Sequence, residues 1–81
     1  MARIVDVVVP ALGEGVEQVL VVAWCVEPGG AVVAEEPLFE VETDKAVFEV
    51  ESEVSGVLAE VLVAAGESVS PGAVVARVRV G

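Results

Sequence analysis

The sequence predicts an all-β domain of two antiparallel sheets packed face to face, a flattened barrel or sandwich with internal pseudo-twofold symmetry. Three observations carry that expectation. Valine fills 23 of the 81 positions, and a β-branched excess of that size favours extended backbone over helix. No window sustains a helical apolar period, whereas short apolar runs recur between Gly and Pro breaks, as in short strands joined by turns. The third is an internal repeat. Val26-Glu27-Pro28-Gly29 aligns with Val63-Ala64-Ala65-Gly66 at an offset of 37 (66 − 29), which also carries Val32 onto Val69, Leu38 onto Val75 and Val41 onto Val78. Two similar halves in so short a chain suit two small sheets sharing one core.

Taken in order, Arg3 to Val9 reads as a strand stopped by Pro10. Pro10 to Glu17, with Gly13 and Gly15, is a loop. It is short and acidic and lacks a following Lys-Ser/Thr, so it is no phosphate-cradling loop. Gln18 to Val26 is the longest strand, with Val22, Trp24 and Val26 on its core face and Cys25 packed on the other. Glu27-Pro28-Gly29-Gly30 is a turn that Pro can start and Gly can close. Val32 and Val33 precede the polar break Glu35-Glu36-Pro37. Leu38 to Glu42 and Val47 to Glu51 alternate apolar with acidic residues, two half-buried strands around a tight turn with Lys45 at its tip. Ser52 to Gly56 is a loop and Val57 to Val63 a strand. Gly66-Glu67 turns the chain, and Ser70-Pro71-Gly72 breaks it before Val74 to Val80. The repeat equivalent of Lys45 falls at 45 + 37, just past the last residue, which predicts the Lys45 turn at one end of the domain and the termini at the other.

At 81 residues the chain is expected to be one domain, residues 1–81, with a single small core. Its longest apolar run, Val19 to Val26, is far short of the roughly 20 residues of a spanning helix. Met1-Ala2-Arg3 runs into a strand-like pattern rather than a secretory leader. One cysteine forbids an internal disulfide and fits a reducing compartment. The net charge of −10 repels phosphate backbones and anionic lipid, so neither nucleic acid nor membrane is an expected partner; basic surfaces are.

Lys45 is the only lysine, and six acids stand in the fourteen residues from 40 to 53. A nucleophilic or Schiff-base lysine wants desolvation or a neighbouring cation, and neither is implied. A quiet, exposed lysine on a turn suits modification by another enzyme. Asp44 has two readings of equal weight, turn former or recognition residue. With no histidine, the chain offers no Ser/His or Cys/His set and no multi-ligand zinc site, so no catalysis of its own is expected.

Glu42-Thr43-Asp44-Lys45-Ala46 resembles the attachment motif of lipoyl domains in the acyltransferase (E2) component of 2-oxo acid dehydrogenase complexes. The resemblance runs the length of the chain, through Pro10-Ala11-Leu12-Gly13-Glu14-Gly15, Pro28-Gly29 to Pro37-Leu38, Val54-Ser55-Gly56-Val57-Leu58, and Gly66-Glu67-Ser68-Val69 with Gly72. It implies lipoic acid in amide linkage on Lys45, added by a lipoate ligase or lipoyl transferase, with Asp44 and Ala46 as motif flanks. The arm would reach about 15 Å, at roughly 1.25 Å per bond. It implies reductive acylation by a thiamine-diphosphate dehydrogenase (E1), delivery of the acyl group to coenzyme A at the E2 acyltransferase core, and reoxidation by an FAD-dependent dehydrogenase (E3). Tethering raises the arm's effective concentration at each site. The family also implies that the loop of Leu12, Gly13, Glu14, Gly15, Val16 and Glu17 lies near the lysine and takes part in E1 recognition. It points to the cytoplasm or the mitochondrial matrix.

A biotin carrier domain shares the fold and the hairpin lysine, but such domains usually set methionine on both sides of it, where Asp44 and Ala46 stand here. The glycine-cleavage carrier is longer, with helical additions. Unmodified lipoyl-like modules of membrane-fusion transport proteins typically lack the lysine.

Overall fold

Eight short strands arise where valine-rich runs are cut by turns. In the computed structural model, which describes residues 2–81, they are β1 (Arg3–Val8), β2 (Val19–Trp24), β3 (Ala31–Val32), β4 (Pro37–Glu42), β5 (Val47–Glu51), β6 (Gly56–Val61), β7 (Ser68–Val69) and β8 (Val74–Val80). Met1, where the expectation of no secretory leader starts, lies outside the described residues. The strands form two four-stranded antiparallel sheets. A terminal sheet runs β1-β8-β6-β3, with Arg3 opposite Val80, and a hairpin sheet runs β5-β4-β2-β7.

The 37-residue repeat governs the register pair by pair. Leu20–Glu42, Val21–Val41, Ala23–Glu40 and Trp24–Phe39 join β2 to β4. Val57–Arg79, Leu58–Val78, Glu60–Arg77 and Val61–Ala76 join β6 to β8, each 37 further on. Both ladders shift at the same point, after Val21 and after Leu58. The crossovers repeat as well. Gly29 N–H donates to Leu58 O, and its counterpart Gly66 N–H donates to Val21 O, both at 2.7 Å. Each sheet thus clasps the other through a turn of the opposite half.

Between the sheets Val19, Val21, Leu38, Phe39, Val41, Leu58, Val75 and Val78 are almost wholly excluded from solvent. Gly56 is fixed by packing, because a Cβ there would collide with the carbonyl oxygen of Arg79 on β8.

Besides the two-residue strands β3 and β7, which lie where the sequence reading placed no strand, the observed strands depart from it at three places. The strand expected over Gln18–Val26 is shorter, and its buried residues are Val19 and Val21 rather than Val22. The irregularity between Val21 and Ala23 adds a residue without a partner, which reverses the face downstream. Trp24 therefore turns inward, its ring 4.9 Å from Phe39 and its indole N–H bonded to Val63 O at 2.9 Å. Cys25 falls beyond the strand and is exposed, not packed. The third departure is β5, which is an edge strand with Val47 54% and Phe48 37% exposed, so only Val50 packs on the core.

Candidate functional site on the β4–β5 turn

Residues 43–46 connect β4 to β5, beyond the last ladder pair Glu42–Val47. The turn is closed from Thr43. Its N–H donates to Ala46 O at 2.9 Å. Its hydroxyl accepts from the N–H groups of Lys45 at 3.2 Å and Ala46 at 3.3 Å, and donates to Ala46 O at 3.3 Å. One donor and two lone pairs are all a hydroxyl has, so Thr43 is fully engaged in setting the turn. Asp44 takes no part in that network: its side chain makes no recorded hydrogen bond among the described residues. Asp44, Lys45 and Ala46 are all exposed, and both recorded ion pairs belong to Arg77, not Lys45. The result is a primary amine held at a tip by its own main chain. Thr43 was within the sequence motif but carried no role there; its part depends on turn geometry, which composition and spacing do not encode.

The loop before β2 arrives at the same end of the hairpin sheet. Leu20 pairs with Glu42, and Glu42 with Val47, so the chain leaving the loop enters the sheet beside the turn. Leu12 and Val16 are half-buried and rest on the core, while Gly13, Glu14, Gly15 and Glu17 are exposed. Two apolar residues thus pin the loop, and its acids face solvent. No hydrogen bond or ion pair joins these residues to Lys45 among the described residues. Nor do the described residues hold a group of three or more His, Cys, Asp or Glu able to take a metal ion.

The model of the Biotin_lipoyl family, described as biotin-requiring enzyme, matches residues 5–78. The fold superposes on the solution structure of the lipoyl domain of the 2-oxoglutarate dehydrogenase complex from Azotobacter vinelandii with a TM-score of 0.77 at 34% identity. That match covers 94% of this chain and 96% of the other. The chain belongs to the biotin/lipoyl family, as a lipoyl domain. Curated relatives agree. It is 43% identical over 77 residues to the dihydrolipoyllysine-residue succinyltransferase component of the 2-oxoglutarate dehydrogenase complex of Escherichia coli (strain K12), covering 95% of this chain and 19% of that protein. It is 41% identical over 73 residues to the dihydrolipoyllysine-residue acetyltransferase component of the pyruvate dehydrogenase complex of Corynebacterium glutamicum, covering 90% and 11%. The chain therefore spans a fifth or less of the length of these relatives. An acyl-carrier role accords with the lipoyl-domain fold and with the exposed turn, and no helix among the described residues is long and apolar enough to cross a membrane.

Proposed function

We propose that residues 1–81 form one acyl-carrier domain of a 2-oxo acid dehydrogenase complex, with lipoic acid in amide linkage on Lys45 and no catalysis of its own. The observation that carries this reading is the chain's one lysine, exposed on a turn whose main chain is fixed by Thr43. Amide attachment asks for an accessible primary amine at a defined place, and Lys45 fits that requirement. Attached there, lipoic acid supplies a dithiolane that takes up an acyl group together with two electrons.

The chain's own residues then position and present. Thr43 fixes the direction in which the arm leaves. Asp44 and Ala46 are the surfaces that a lipoate ligase or lipoyl transferase meets first. The pinned loop from Leu12 to Glu17, at the same sheet end, offers Glu14 and Glu17 to a thiamine-diphosphate dehydrogenase component. The remaining partners are the acyltransferase core and the FAD-dependent dehydrogenase, in the cytoplasm.

The test is reductive acylation of the modified domain by 2-oxo acid dehydrogenase components, preceded by intact-mass measurement and avidin blotting. The expected result is a lipoyl-sized adduct on Lys45 and acylation that vanishes in Lys45→Gln. A biotin-sized adduct, or acylation persisting in that variant, overturns the reading.

A further inference from the structure

The sheets do not close on each other along one side. β1 ends the terminal sheet and β5 ends the hairpin sheet, and among the described residues no ladder joins them. Between these two edges lies an open cleft of about 730 Å³. Its walls include Val5 and Val7 from β1 and, from β5, Phe48 and Val50, which hold the matching ladder positions opposite Val41 and Phe39 as Val5 and Val7 do opposite Val78 and Ala76, with Leu12 and Val54 beside them. Among the described residues no basic side chain lines it, whereas Asp6, Glu35, Glu49, Glu51 and Glu53 do.

The two edges differ in charge. On β1, Asp6 is paired with Arg77 at 3.3 Å. Along β5 no ion pair is recorded among the described residues, and the acids remain uncompensated. Glu35 adds a separate anomaly. It has φ of 73°, the left-handed region, where its repeat equivalent is Gly72 at 92°. A side chain is retained where the backbone prefers glycine, and such strain gathers at sites that use the side chain. Here it puts another carboxylate on the cleft.

The hydrogen-bond phase of β5 is also fixed. The Thr43–Ala46 bond closes the hairpin, and antiparallel bonding alternates from there. Phe48 and Val50 thus bond inward to Val41 and Phe39, which leaves the main-chain groups of Val47, Glu49 and Glu51 on the free edge. A strand added there would set its residues alternately beside the acids on the outer face and beside Phe48 and Val50 in the cleft.

We infer that the cleft is a docking groove for an extended segment of a partner protein in which basic and apolar residues alternate, taken up as an added strand on β5. A second copy of this chain is the wrong occupant, because its net charge of −10 brings like charge to an acidic edge. The inference does not depend on modification of Lys45, and its test uses the unmodified chain, so its outcome is separate from that of the carrier reading.

The probe is a synthetic peptide of alternating Lys and Val, about seven residues long as strands commonly are, titrated into ¹⁵N-labelled protein. Saturable binding at millimolar concentration or below is expected, with shifts along β5 and β1 and slowed amide exchange at Val47, Glu49 and Glu51. Affinity should fall with added salt and by about tenfold in the double variant Glu49→Lys, Glu51→Lys. Phe48→Ala should weaken it without changing the salt dependence. The inference is overturned if the peptide does not bind, if N-methylation of alternate peptide amides leaves affinity unchanged, if the shifts fall elsewhere, or if sedimentation shows the protein pairing with itself through β5.

Discussion

Replacing Glu40 with arginine should stabilise the domain, and the repeat says why. On the outer face of the terminal sheet three residues stand abreast, Glu60 on β6, Arg77 on β8 and Asp6 on β1. Arg77 reaches Glu60 at 2.8 Å and Asp6 at 3.3 Å; its guanidinium is pushed up by those hydrogen bonds, first to Glu60 and then to Asp6. The equivalent row on the hairpin sheet is Ala23, Glu40 and Glu49. Like charges directly opposite destabilise an antiparallel pair, and opposite charges stabilise it by about 0.2–1 kcal/mol. Glu40→Arg removes one repulsion and supplies one ion pair, since Ala23 offers no second acid. The two contributions together come to about 1 kcal/mol, or roughly 4–8 °C in Tm for a chain this long.

Thermal unfolding by circular dichroism reads the effect, with Glu40→Gln as the control that relieves repulsion alone and recovers about half. The gain should shrink in ~1 M salt, where the screening length is about 3 Å. Cys25 is a local reporter. Its thiol is pushed above the ordinary cysteine range by partial burial, then by the charges of Glu40 and Glu49. Alkylation at mildly alkaline pH follows the thiolate fraction, so it should quicken in Glu40→Arg. If Glu40→Arg is no more stable than Glu40→Gln, and Cys25 reacts no faster, the mirrored row is not the cause.

Three further outcomes are expected. Thr43→Val should cost about 1 kcal/mol from the lost hydroxyl bonds and slow the proposed lipoylation of Lys45, with Thr43→Ser restoring both, as intact-mass time courses would read. Gly56→Ala should destabilise by at least ~2 kcal/mol in urea unfolding, because the new methyl meets the Arg79 carbonyl and must displace a strand. Glu35→Gly should stabilise by about 1 kcal/mol by relieving the left-handed backbone, and Gly72→Ala should do the reverse; equal and opposite shifts in Tm are the measurement.

The frame was legible in the sequence because both halves reuse the same kinds of residue at the same turns, so an offset found at Gly29 and Gly66 carries every later pairing of β6 with β8. What the offset hides is local. The irregularity beside Val22 has no mark of its own, since valine suits a regular strand equally well; Trp24 does pack on the core as its face predicted, but Val22 was set there in place of Val21, and Cys25 was read as packed where it is exposed. The exposure of β5 is a matter of which strand ends a sheet, a tertiary fact that alternating Val, Phe and Glu cannot announce. Lys45 stood out by its rarity, yet the Thr43 hydroxyl that sets its turn became visible only with the backbone in place.

The repeat sharpens one more contrast. Its two halves agree in register, in the placing of an irregularity and in the crossover bonds, so evolution of the frame alone gives no reason for them to differ in charge. They differ most where the hairpin sheet faces outward. Arg77 holds two acids in the terminal sheet, whereas Glu40 faces Glu49 with no ion-pair partner among the described residues, in the sheet that ends at Lys45. A frame that can accept arginine at that position, and in its other half does, carries an acid there at a cost in stability. The cost falls beside the turn and the open β5 edge, where the proposed attachment of lipoic acid and the proposed docking of a basic strand both lie.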